Sequence, residues 1–196
     1  MDKYKGKYRN ESARHPTWDY ANAGLYFITI CTRDRKHFFG EINLGKMELS
    51  DIGKIAEQEW LKTFEMRPDM NLWMGKFVVM PDHFHAVIGI GENEFNTHGR
   101  GALHCDPHHR GALHCDPTGQ TQNTSRPNKF GPQSKNLASI IRGFKIGVTT
   151  NARKTNPDFA WQPLYHDHII RNEKSHLAIS NYIENNILNW NKNKLK

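Results

Sequence analysis

No window of the 196-residue chain approaches the ~18 continuous apolar residues that a membrane-spanning helix requires, so no span is expected. Cysteine is scarce. Cys31, Cys105 and Cys115 form an odd and sparse set, which argues against a secreted disulfide framework. The N-terminal stretch MDKYKGKYRNESARHP holds no apolar core of the secretory type, and the expected compartment is the cytoplasm. Acidic residues are outnumbered, 20 against 27 Lys and Arg, giving a net charge of +7 and a pI near 9.3. That excess favours a polyanionic partner, nucleic acid first and an acidic lipid surface second, with an ordinary basic soluble protein as the plain alternative. The length suits one domain over residues 1–196 with a real core and a sizeable excursion from it.

What is present alternates between strand-like and helix-like runs. GLYFITICTR (24–33) is aromatic and β-branched on both pleat faces, the pattern of a central strand covered on both sides. In LSDIGKIAEQEWLKTF, Ser50 is placed as an N-cap and Ile52, Ile55, Ala56, Trp60 and Phe64 recur at helical spacing. LWMGKFVVM and HFHAVIGI, separated by the turn signal Pro-Asp, read as a hairpin. SKNLASIIRGFKIGVTTNAR (134–153) gathers Leu137, Ile140, Ile141, Phe144 and Val148 on one face and carries Lys135, Arg142, Lys145 and Arg153 elsewhere, an amphipathic helix with a basic side. LYHDHIIR (164–171) reads as a last strand, and Asn172 as the cap of one closing helix through EKSHLAISNYIENNILNW. The order predicts an α+β fold, a ferredoxin-like antiparallel sheet with helices packed on it.

Residues from about 92 to 134 lack periodicity and are rich in Gly, Asn, Thr, Pro and His, as in a flexible surface insertion. Within them RGALHCDP occurs twice in immediate succession, at 100 and 110. His104, Cys105, His108, His109, His114 and Cys115 could form a zinc or copper module, but their spacing fits no closed zinc motif. A recent duplication on an uncoordinated surface loop accounts for them more readily than site design does.

The histidines of MPDHFHAVIGI (80–90) are the chemical anomaly. Alternation along a strand sends Phe84, Ala86, Ile88 and Ile90 to one face and His83, His85, Val87 and Gly89 to the other. Two imidazoles roughly 6 to 7 Å apart along a strand are able to share one divalent ion, or simply to form a hydrogen-bonded pair on a half-exposed sheet. A histidine-triad hydrolase would need a third alternating histidine where Val87 stands. A two-histidine phosphoesterase would need His-x-Thr or His-x-Ser twice, and a zinc cage two further ligands. Tyr182 and Asn186, four apart on the closing helix, border its apolar stripe of Ile179, Ile183, Ile187 and Trp190. A carboxamide oxygen could complete a His-His-Asn set for Mg²⁺ or Mn²⁺. A phenol beside such an ion could attack a polarised phosphodiester.

Taken in order, YFITICTR, VVMPDHFHAVIGI, WQPLYHDHIIR and YIENN resemble the marks of the single-tyrosine HUH transposases, and among them the REP-associated tyrosine transposases. The resemblance covers roughly residues 20–190 apart from the loop. It implies metal-dependent cutting and rejoining of single-stranded DNA at hairpins through a 5′-phosphotyrosine link. It puts His83 and His85 in the place of the histidine pair, Tyr182 in that of the nucleophile and Asn186 in that of the third metal ligand. Lys135, Arg142, Lys145 and Arg171 are the candidates for DNA contact, and the expected assembly is a monomer or a homodimer. A domesticated, non-catalytic hairpin-DNA binder is the alternative. The segment after Asn186 lacks the Asn-Pro step usual in that family, which predicts a closing helix that runs on.

Overall fold

Period-two and period-3.6 segments fold as their patterning requires in the computed structural model, which describes residues 18–97 and 134–193. The elements are β1 (Gly24–Cys31), β2 (Gly40–Asn43), β3 (Lys46–Leu49), α1 (Asp51–Glu65), β4 (Leu72–Met80), β5 (His83–Ile90), α2 (Leu137–Thr155), β6 (His166–Ile170), α3 (Glu173–Glu184) and α4 (Asn186–Asn193). The main sheet is antiparallel with strand order β4-β5-β1-β6. Setting the small β2-β3 hairpin aside, this is the ferredoxin-like arrangement. The helix starts are capped as anticipated: the Ser50 side chain accepts from the Gly53 amide and that of Asn172 from the Ser175 amide. Asn136 and Ser139 form a reciprocal capping box at α2.

Helices α1 and α2 cover one face of the sheet. Trp60, Phe64, Leu137, Ile140, Ile141, Phe144 and Val148 pack there against Tyr26, Ile28, Ile30, Phe84, Ala86 and Ile88. Phe84 lies at the centre, its ring centroid 5.1 Å from Trp60 and 5.2 Å from Phe144. A smaller cluster on the opposite face joins Val87, Ile170 and Ile183 with Leu25, Phe27, Trp73, Val78 and Ile179, and so seats α3 on the sheet. A bulge in β4 between Met74 and Phe77 accompanies that seating. Gly75 is obligatory there, because a Cβ would come within 2.8 Å of Val87 Cβ. Next to it, Lys76 pairs with Glu184 at 2.7 Å, tying the end of α3 to the bulge.

Three expectations need correction or limits. Strand β1 is central, but its burial alternates, fully buried toward α1 and α2 and only half-buried on the other face. It is β5 that is buried throughout. The closing helix does not run on: α3 ends at Glu184, Asn185 takes φ −90° and ψ 1°, and α4 starts at Asn186. Of the expected insertion, residues up to Thr97 are anchored, since the buried Asn96 side chain donates to the carbonyls of Ala21 and Gly91. The duplicated RGALHCDP segment and its histidines and cysteines lie outside the described residues. No helix among the described residues is long and apolar enough to cross a membrane.

Because Phe84 is fully buried between His83 and His85 in the chain, it couples the core to the histidine face. Replacing Phe84 by Ala should cost about 3–5 kcal/mol, through lost transfer energy and the cavity left behind. Urea unfolding measures it, and a loss under ~1 kcal/mol would mean that this face packs loosely.

Candidate functional site

Strand β5 carries His83 and His85 onto the face opposite α1 and α2, with ring centroids 4.5 Å apart. Both side chains are buried, at 6 % and 5 % exposure. Buried imidazoles need partners for their ring nitrogens, and each finds one at Nδ1. His83 Nδ1 lies 2.5 Å from Asp82 Oδ1. A carboxylate only accepts, so the proton sits on Nδ1 and the Nε2 lone pair is left outward. His85 Nδ1 lies 2.8 Å from the hydroxyl of Thr29, its register partner on β1. Its ring stacks on Phe27 at 5.3 Å.

The third side chain comes from α3. The Tyr182 hydroxyl stands 3.3 Å from His85 Nε2, and its ring meets Phe27 edge-on at 6.2 Å. Tyr182 is 47 % exposed, whereas Asn186, first residue of α4, is only 4 % exposed and its Nδ2 has no hydrogen-bond partner. The break at Asn185 separates the two environments. Had the helix continued, residues four apart would have shared one face and similar cover. Helix α4 closes the site through Trp190, whose ring lies 5.8 Å from that of His83.

The electrostatics follow from burial. Burial, reinforced by the neighbouring charge of His83, pushes the His85 imidazole down to about 3. Burial alone would raise the Asp82 carboxyl, but its hydrogen bond to His83 and the attraction of His83, Arg35 and His37 hold it below its ordinary range. His85 therefore presents a neutral imidazole nitrogen, the form that binds metal.

Among the described residues no three His, Cys, Asp or Glu side chains converge as a metal cluster. Asp82 is occupied by His83, while Asn186 is a buried carboxamide with an unpartnered amide nitrogen, and a carboxamide oxygen is a donor of the type that a divalent ion accepts. Two imidazoles and an amide oxygen suit a divalent ion that tolerates mixed nitrogen and oxygen ligands, with water filling the remaining positions.

The basic residues stand elsewhere. Lys135 pairs with Asp69 and lies over the Phe95 ring. Arg142 is exposed on α2, which packs on the sheet face remote from the histidines. The Lys145 ammonium donates to the carbonyls of Gln162 and Leu164 at 3.0 and 3.1 Å, and partial burial lowers its pKa. Arg171 is exposed just beyond the edge strand β6. The structure thus gathers His83, His85 and Tyr182 and keeps Lys135, Arg142 and Lys145 apart from them. Sequence reasoning missed Thr29 and took Asp82 only as part of a turn. For Asp82 the signal was its place directly before His83.

No family model matches the chain. A protein of Haemophilus influenzae described as uncharacterised is 35% identical over 191 residues, 97% of this chain and 94% of that protein. Among solved structures, a REP-associated tyrosine transposase bound to a REP hairpin is similar with a TM-score of 0.51 and 17% identity, over 93% of this chain and 73% of that one.

Acid stability provides a check on the site. Between pH 6.5 and about 3 the unfolded chain protonates His85 and the folded chain does not, so stability falls as pH is lowered through that window. The effect is at most ~4–5 kcal/mol at the acid end. Compared by urea unfolding across pH, His85→Gln should show a shallower acid loss than the wild type. Parallel curves would mean that His85 is not held neutral by burial.

Proposed function

From the premise that this chain belongs to one family with the Haemophilus influenzae protein and has the fold of the single-tyrosine HUH transposases, we propose that it is a metal-dependent endonuclease and strand transferase acting on hairpin-bearing single-stranded DNA. The observation that carries the reading is the approach of the Tyr182 hydroxyl to within 3.3 Å of His85 Nε2, beside a second histidine whose Nε2 is likewise left outward. A nucleophile and two metal-type donors on one face of a buried strand suit phosphodiester chemistry.

His83 Nε2, His85 Nε2 and the Asn186 carboxamide oxygen would hold the ion, Mg²⁺ or Mn²⁺. When bound, it supplies Lewis-acid polarisation of the phosphodiester oxygens. Asp82 and Thr29 keep the two rings turned so that Nε2 faces the substrate. The Tyr182 oxygen forms a bond to phosphorus as the bond from phosphorus to the 3′ oxygen breaks. The phenol loses its proton and the departing 3′ oxygen gains one. One strand end is left as a 5′-phosphotyrosine and the other as a free 3′-hydroxyl. Because a phosphodiester is exchanged for a phosphodiester, rejoining to another 3′-hydroxyl needs no outside energy source.

Tyr182 faces His85 of its own chain, which favours action in cis by one domain, so that a monomer suffices even if a homodimer forms. Of the four basic candidates, the exposed Arg142 and Arg171 are proposed to contact the DNA backbone away from the cleavage point, where cations contribute affinity without sequence choice, whereas Lys135 and Lys145 are engaged by Asp69 and by the Gln162 and Leu164 carbonyls.

A nicking assay on end-labelled hairpin DNA with Mn²⁺ tests the reading. His83→Ala, His85→Ala and Tyr182→Phe should each lose cleavage by 10³-fold or thereabouts while keeping hairpin binding, since affinity resides mainly in phosphate contacts. A wild-type chain that binds the hairpin and never cuts it would identify a non-catalytic binder. Cleavage by the phenylalanine variant would assign the attack to another group.

A further inference from the structure

The turn after β1 is strained. Asp34 and Arg35, neither a glycine, have φ of 55° and 54°, a conformation that costs about 1 kcal/mol or more for each. Strain of this kind persists only where surrounding bonds hold it, and here they converge on Asp82. The Thr32 amide donates to the Asp82 carbonyl at 2.9 Å. Its buried hydroxyl lies 2.9 Å from that same carbonyl and 2.7 Å from the carbonyl of Lys36. On the other side, the Arg33 amide donates to the Ala160 carbonyl. The turn is fastened to the residue immediately ahead of His83.

That fastening aims one side chain. Arg35 Nε lies 3.5 Å from Asp82 Oδ2, and Nη1 lies 3.0 Å from Cys31 Sγ. The other carboxylate oxygen of Asp82 is the one that receives His83 Nδ1–H. Guanidinium, carboxylate and imidazole form a chain of contacts, and the guanidinium also donates to the Cys31 sulfur. Stability is a poor reason for the arrangement. The Arg35 side chain is 55 % exposed, and an ion pair so placed contributes about 0–1 kcal/mol, no more than the strain of the turn costs.

We propose that Arg35 is a positioning residue for the metal pair, anchoring the Asp82 carboxylate so that it holds His83 in the Nδ1–H form with Nε2 turned to the ion. The proposal rests on the reading of His83 and His85 as metal ligands. A carboxylate hydrogen-bonded on one oxygen only is free to rotate and to release the ring. Held at one oxygen by the imidazole hydrogen bond and drawn at the other by the guanidinium ion pair at 3.5 Å, it is restrained from rotating. Removing such an outer partner of a ligating histidine weakens metal binding about 10- to 100-fold. Lysine could replace the charge but not the two-point grip on carboxylate and sulfur.

The test uses the full chain and Mn²⁺ alone, without DNA. Mn²⁺ affinity is measured by electron paramagnetic resonance for wild type, Arg35→Met, Arg35→Lys, Asp82→Asn and the Met/Asn double variant. The His83 tautomer is read from imidazole ¹⁵N spectra of the metal-free proteins at about pH 8, where imidazoles are neutral. Arg35→Met should bind Mn²⁺ 10- to 100-fold more weakly and show a mixture of His83 tautomers, with an unchanged fold. Arg35→Lys should recover part of both. The double variant should lose little beyond Asp82→Asn, because the two residues act through one bond. Wild-type affinity and tautomer in Arg35→Met would overturn the proposal, as would fully additive losses in the double variant. If the wild type takes up no Mn²⁺, or His83→Ala takes it up equally well, the metal reading fails and the role of Arg35 fails with it. Weak binding by Arg35→Met alone cannot be mistaken for that result.

Discussion

Strand β5 is buried over its whole length, and a strand so placed cannot carry two imidazoles unless their ring nitrogens have partners or a ligand. The surrounding structure is organised to meet that demand. Asp82 and Thr29 take the two Nδ1 atoms, and the Tyr182 hydroxyl is at hand for Nε2 of His85. The register of β5 against β1 is what brings Thr29 opposite His85 and Cys31 opposite His83. A slip of one residue would drive both histidines into the core of α1 and α2 and expel Phe84, Ala86 and Ile88 from it. The hydrophobic core thereby fixes the chemistry on the other side of the same strand.

The two helices after β6 supply groups with opposite needs. On the proposed reading, a phenol that attacks DNA has to be reachable from outside, and a neutral amide that holds an ion benefits from being enclosed. Tyr182 is nearly half-exposed and Asn186 is buried, four residues later. The interruption at Asn185 permits this, with Ile183 and the Lys76–Glu184 pair holding the end of α3 and Trp190 setting α4 against His83. Around this face the protein offers access at the tyrosine and closure at the carboxamide.

Much of this was legible in the sequence because it depends on period and on local chemistry. The alternation of HFHAVIGI assigns the histidines to one face, and Ser50 and Asn172 mark helix starts by their hydrogen-bonding side chains. The β2-β3 hairpin was not legible: its strands have four residues each and carry exposed Glu41, Lys46 and Glu48 rather than a β-branched run. The break at Asn185 has neither proline nor glycine to announce it, so the apolar spacing of Ile179, Ile183, Ile187 and Trp190 reads as one helix. Thr29 and Arg35 are distant in sequence from the histidines they serve, and only strand pairing and the strained turn bring them there. The basic residues show the limit of composition: Lys135 and Lys145 count toward the net charge, yet both are engaged within the protein.

The central claim is that the Tyr182 oxygen, and not a water molecule, takes the phosphate. The direct measurement is mass spectrometric mapping of the protein after incubation with hairpin DNA and Mn²⁺, followed by nuclease and protease digestion. The account predicts a residual nucleotide attached through phosphate to the peptide that contains Tyr182, with a free 3′-hydroxyl on the partner fragment. Cleaved DNA carrying a free 5′-phosphate with no peptide attached, or a nucleotide mapped to any residue other than Tyr182, would contradict it.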